Sequence, residues 1–153
     1  MKAIQLNEVG MNPQSRPWKE DASLAYALLR ITLGLNICMH GVVRWAGGLG
    51  NFAASLVAMF HKESLPAWAV YSFGYALPVL EATVGGAVMI GLQTRRALMA
   101  GMVLMLALTF GSTLRQDWQI VGLQLIYSFL YAVLLAGTQL DEYSIDRLLA
   151  WKK

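Results

Sequence analysis

The sequence predicts an all-α membrane protein: a bundle of four transmembrane helices with a short outer-surface helix between spans 1 and 2. Three observations lead there. Hydrophobic residues make up 57% of the 153-residue chain and charged residues 14%, a balance far from that of soluble domains. Ala97–Leu114 and Trp118–Leu140 carry no charge, and Ser64–Thr94 holds Glu81 as its only one; these runs match or exceed the roughly 20 residues a helix needs to cross the hydrocarbon layer. A fourth run, Ala22–Val43, is apolar apart from Arg30 and His40. The tryptophans, Trp18, Trp45, Trp68, Trp118 and Trp151, all fall at span ends or where an interfacial helix belongs, the level that indole prefers.

Taken in order, residues 1–20 form a polar cytoplasmic segment with Pro13 and Pro17 and no removable signal peptide. The membrane domain covers 21–140, with spans at about 22–46, 66–92, 97–114 and 118–138. Asp21 and Ser23 are suited to cap the first helix, and Gly47, Gly48 and Gly50 end it. Asn51 starts the short helix, whose apolar side carries Phe52, Leu56, Met59 and Phe60. Pro66 opens span 2. Little more than Gln93–Arg96 joins spans 2 and 3, which makes them antiparallel neighbours. Asp117 is placed to cap span 4. The tail 141–153 reads as a cytoplasmic amphipathic helix with Ile145, Leu148 and Leu149 on one side.

Lys and Arg orient the chain, because cytoplasmic segments retain positive charge. One side gathers Arg95, Arg96, Arg147 and the basic residues of both tails; the other holds only Arg44, Lys62 and Arg115. Both termini are therefore expected in the cytoplasm, with localisation in a cell (inner) membrane. The net charge of +3 describes a basic rim suited to anionic membrane lipid and calls for no nucleic acid. The single cysteine, Cys38, forms no internal disulfide.

Charge inside a span costs ~3 kcal/mol on insertion scales and needs a partner or a purpose. Arg30 and Glu81, counted from the cytoplasmic ends of spans 1 and 2, reach similar depths and are expected to pair, as a packing device or a proton relay. At about 100° per residue, Arg30, Gly34, Asn36, His40, Gly41 and Arg44 share roughly 160° of one face of span 1. Gln124, Tyr127 and Tyr131 form a second polar stripe on span 4, below Arg115 and Gln116. Interhelical hydrogen bonding is one reading of these stripes; convergence on a site in the outer half is the other. Met99, Met102 and Met105 have no His or Cys beside them, so a metal site is not expected. No haem-attachment motif, cysteine set for an iron–sulfur cluster or dinucleotide fingerprint is present, so no tightly bound redox cofactor is predicted.

The stretches "LLRITLGLNICMHGVVRW", "GYALPVLEATVGGAVMIGLQTRRA" and "FGSTLRQDWQIVGLQLIY" resemble the DoxX family of small four-span membrane proteins. The last is similar to its DoxD-like branch, the membrane subunit of thiosulfate:quinone oxidoreductase. The resemblance covers about residues 23–150. It implies an enzyme, bacterial or archaeal, that couples two thiosulfates to tetrathionate and passes the electrons to membrane quinone as a diffusible substrate. Carried onto this chain, the family's motif positions are Arg30, His40, Gly41, Glu81, Arg115, Gln116, Asp117, Trp118, Gln124 and Tyr127.

Catalytic roles are then expected of His40, Arg115, Gln116 and Asp117. Substrate binding is expected of Arg44, Arg115, Trp118, Gln124 and Tyr127, the arginines holding thiosulfate or another small anion and the deeper donors holding quinone. A second subunit or a homo-oligomer stays open. The alternative function is a non-catalytic DoxX-like adaptor or assembly factor for a redox partner.

Overall fold

The computed structural model describes residues 17–63 and 65–151. Their order is α1 (Pro17–Ala46), α2 (Leu49–Met59), α3 (Ala67–Ile90), α4 (Thr94–Leu114), α5 (Trp118–Ala136), a 3₁₀ turn (Thr138–Leu140) and α6 (Ile145–Ala150). Helices α1, α3, α4 and α5 are long and apolar enough to cross a membrane, and the chain is a multi-pass membrane protein. The start of α1 and helix α6 lie at one end of the bundle, the terminal end. Helix α2 and the Arg115–Asp117 turn occupy the opposite end. Most of the expected N-terminal segment lies outside the described residues.

Backbone contact sets the main helix pair. A Cβ on Gly34 of α1 would stand 2.8 Å from the carbonyl oxygen of Gly85, and a Cβ on Gly85 would stand 2.8 Å from that of Gly34. One heptad along, Gly41 meets the backbone of Pro78 and Ala82 in the same way. Small residues are what let membrane helices approach this closely, and the contacts fix the register of α1 on α3. Continued toward the terminal end, that register brings Arg30 level with Gly91, the residue after α3.

This register overturns the expected pairing of Arg30 with Glu81. Arg30 is buried, 1% exposed, and its Nη1 donates to the carbonyls of Val88 (2.7 Å) and Met89 (3.0 Å). Its Nη2 donates to the carbonyl of Tyr143 (2.6 Å), and its Nε faces Asp141 Oδ1 at 3.5 Å, an ion pair without hydrogen-bond geometry. A guanidinium thus sits on the last carbonyls of α3, adding to the Gly91 N–H that Val88 already accepts, at the negative end of the helix dipole. The depth count failed because α1 starts at Pro17 and runs well past the end of α3, so distances from the two helix ends have no common origin. Asp21 and Ser23 likewise lie inside α1 and do not cap it.

The chain end is fastened to the same corner. Asp146 accepts from the backbone N–H of Gln93 (2.8 Å) and Thr94 (2.7 Å), capping α4 from a distance, while its own N–H donates to the Gly91 carbonyl. Gly91 has φ +70, and a Cβ there would stand 2.6 Å from Arg30 Nη1. Only glycine fits the turn and leaves room for the arginine.

At the opposite end, α2 starts at Leu49, after Gly48 with φ +93. Its buried Ala53 packs on Gly74, where a Cβ would come within 2.8 Å of the Ala53 Cα. Gly74 is two turns into α3, ~10 Å along its axis, so α2 dips into the bundle beside α3. Asp117 caps α5, its Oδ1 accepting from Ile120 N–H at 3.3 Å.

Candidate functional site: a cavity at the non-terminal end

The dip of α2 leaves space between it and α3, α4 and α5, a cavity of about 430 Å³, within the size range of small-molecule sites. Its wall is mostly apolar, with Phe52 and Leu56 from α2, Phe73 and Leu77 from α3 and Leu108 from α4. Arg44, Ser112, Arg115 and Gln124 supply the polar part. Met59, Phe110 and Ile120 line the cavity and are themselves exposed, so the cavity is open to the outside of the bundle beside them.

Helical side chains lean toward the N-terminus of their helix. Arg44, in the last turn of α1, therefore reaches back into the bundle, and its Nη1 donates to both carboxylate oxygens of Glu81. Glu81 is 3% exposed. The Arg44 guanidinium also lies 4.9 Å from the Phe52 ring centre, and the same arrangement recurs at Arg115, 5.7 Å from the Phe60 ring centre. Both arginines thus carry an aromatic residue of the α2 region on one face. Arg115 ends α4 and stands 3.9 Å from Asp117, a partly exposed pair worth well under ~1 kcal/mol. Most of its donors are open to a ligand.

Gln124 Nε2 donates to Ser112 Oγ at 3.1 Å, while its Oε1 is buried without a partner. The two ends of an amide have the same shape. With the amide turned over, Ser112 donates to Oε1 and the NH₂ becomes the free group. Either way Gln124 brings one unused polar atom to a site whose other polar groups are cationic.

The structure brings together Arg44, Arg115 and Gln124 of the residues singled out in the sequence. It does not bring His40, Trp118 or Tyr127 to the cavity. His40 is exposed on the flank of α1, and Trp118 is 64% exposed. Tyr127 donates to Asn36 Oδ1 (3.2 Å) across a separate groove of about 280 Å³ between α1 and α5. Gln116 occupies a left-handed turn position, φ 55, and Asp117 serves as a cap; neither lines the cavity. Ser112 was missed, since a serine inside an apolar run gives no signal until its partner, twelve residues on, is known. Phe52 lies on α2 as expected and Phe60 just after its end, but their seats on the arginines depend on how deeply α2 dips.

Among the described residues no three His, Cys, Asp or Glu side chains converge as a metal site. The groups that can hold a ligand are hydrogen-bond donors on cationic or amide side chains, set in an apolar shell. Such groups suit an apolar molecule with an acceptor-bearing or anionic head. No family model, curated protein or solved structure matches this chain.

Proposed function

We propose that the chain is the membrane subunit of a quinone-reducing oxidoreductase, and that the cavity receives the quinone. The observation that supports this reading best is the mostly apolar cavity with Arg44, Arg115 and Gln124 at its polar part. A quinone dissolved in the bilayer enters through the rim at Met59, Phe110 and Ile120. Its carbonyl oxygens accept from an arginine and, with the amide turned over, from Gln124, and its ring lies among Phe52, Phe73 and Leu108. The two arginines stabilise negative charge as it develops on those oxygens, in a site where little water screens them.

Thiosulfate as the electron donor follows from the resemblance of the "RQDW" and "QLIY" stretches to the DoxD-like branch. In that reaction two thiosulfates lose two electrons to form tetrathionate, and the quinone takes both electrons with two protons. With both termini in the cytoplasm of a bacterial or archaeal cell, the cavity lies in the outer half of the membrane. Arg115, with a quarter of its side chain exposed, is then within reach of a dianion from the outer water. The reading assigns no contact with quinone to His40, Trp118 or Tyr127.

The test is purified protein in detergent with thiosulfate and a short-chain quinone, followed at the quinone absorbance, together with solvent extraction of co-purified quinone. Thiosulfate-dependent reduction is expected, alone or with a co-purified subunit. Absence of both bound quinone and reduction would favour the adaptor, in which Arg44 and Arg115 only anchor α2.

A further inference from the structure

We infer that an anionic head, such as the oxyanion of a reduced quinone, binds Arg44 at the expense of Glu81, and that Glu81 takes up a proton as it does so. The inference rests on the cavity being a quinone site and adds what happens to the buried carboxylate beside it. Arg44 Nη1 is the one side-chain donor to Glu81 among the described residues, and it serves both oxygens.

Among the described residues, the surroundings of Glu81 offer no second cation. Helix α2 contains no titratable residue, and those of α4 are Arg95 and Arg96 in its first turn, at the far end of the bundle. Helix α3 adds only Tyr71 and Tyr75, both exposed near its start. From α5 comes Tyr131, fully buried, its hydroxyl without a partner. On α1, Cys38 packs against Gly85, and His40 points away from the bundle. Arg115 is at the mouth, opposite Asp117.

A charged head held by Arg44 therefore competes with Glu81 for the one guanidinium that pairs the carboxylate, while Arg115 remains the second cation of the cavity. A buried carboxylate that loses its counter-ion is too costly to remain charged and neutralises instead. The exchange balances: ligand anion, Glu81 carboxylate paired with Arg44, and one proton from solvent give ligand anion paired with Arg44 and Glu81 as the neutral acid. When the reduced head is protonated and leaves, the Glu81 proton is the nearest one to hand over, and the carboxylate returns to Arg44.

The experiment is titration calorimetry on the full chain in detergent, in buffers of different ionisation enthalpy. One probe is an alkylated hydroxynaphthoquinone, an anion at neutral pH, and the other a neutral alkylated methylnaphthoquinone. The anionic probe is expected to bind with uptake of about one proton, its Kd rising about tenfold per pH unit across neutrality, and the neutral probe to bind without uptake. Glu81→Gln should abolish both the uptake and the pH dependence while retaining binding. Arg44→Gln, in which the carboxylate has already lost its partner, should bind the anion weakly and without uptake; Glu81→Asp should keep the uptake.

Wild-type binding of the anion without proton uptake, or uptake that persists in Glu81→Gln, overturns the inference and leaves the quinone site standing. So does a neutral probe that binds while the anionic one does not. If neither probe binds, the quinone site itself falls, and the inference with it.

Discussion

Replacing Arg30 by methionine tests the register of α1 on α3, the feature on which every other placement depends. The substitution removes three hydrogen bonds from a charged donor, to Val88, Met89 and Tyr143, and strips Asp141 of its counter-ion. Bonds of that kind are worth about 1.5–3 kcal/mol each, but carbonyls at a helix end can turn to water, so the sum is an upper bound. Loss of one partner from a buried pair costs about 3–5 kcal/mol, and that is the expected destabilisation. Unfolding in mixed detergent micelles, followed by circular dichroism, measures it.

Double-mutant cycles sharpen the test. Arg30→Met combined with Asp141→Asn should show a coupling of about 1–3 kcal/mol, because the two side chains touch. Arg30→Met combined with Glu81→Gln should be additive within ~0.5 kcal/mol, because ten residues of α3, ~15 Å, separate Glu81 from the level of Arg30. Coupling of Arg30 to Glu81 without coupling to Asp141 would restore the pairing expected from the sequence and refute the register.

Three further outcomes follow from the same geometry. Gly34→Leu should destabilise by at least the ~1–3 kcal/mol of overpacking, since it meets backbone that cannot yield, whereas Gly122→Leu, inside α5 with nothing within 4 Å of its Cβ, should not destabilise in the same micelle assay and should gain up to ~1 kcal/mol of helix propensity. Asp146→Ala should cost about 1 kcal/mol as a lost cap and speed hydrogen exchange at the amides of Gln93 and Thr94, read by mass spectrometry. Arg115→Ala should weaken binding of a short-chain quinone roughly 10- to 100-fold, the equivalent of one charged hydrogen bond, with the unfolding midpoint nearly unchanged because its pairing with Asp117 is exposed and long.

The spans were legible because runs of membrane length with at most a charge or two leave no other assignment, and Pro66 and Asp117 marked two of their limits; the expected Gln93–Arg96 connection is shorter, since α4 already starts at Thr94. Relative register was not legible. Hydropathy gives each helix its ends but not its offset from a neighbour, and here the offset is set by Gly34, Gly41 and Gly85 meeting backbone to backbone. The same gap explains the exchange of partners: Arg44 is near the end of α1 in sequence, but its long side chain leans back to Glu81. Half of the site could be read from the scarcity of polar residues in the spans, which singled out Arg44, Arg115 and Gln124. His40 and Tyr127 belonged to the same stripes, yet offsets of only ~40–60° around the helix divide a residue that faces the cavity from one that faces the α1–α5 groove or lipid. Stripe membership is coarser than that.

The arginines of this bundle also differ in what their retention implies. In a membrane the apolar side chains gain little by burial against one another, since lipid is as apolar as they are. A charged group kept inside therefore has to satisfy something that an apolar side chain cannot. Arg30 meets that condition within the fold, as the partner of three carbonyls and an aspartate. Arg115 does not: its aspartate is distant, and its ring contact with Phe60 would serve as well for a leucine. A buried or half-buried ion pair is often replaceable by apolar residues at no loss of stability. Arg115→Leu is thus expected to fold at least as firmly as the wild type while emptying the cavity of its outer donor. A fold that tolerates the change and a ligand that does not would together mark Arg115 as retained for what enters the cavity.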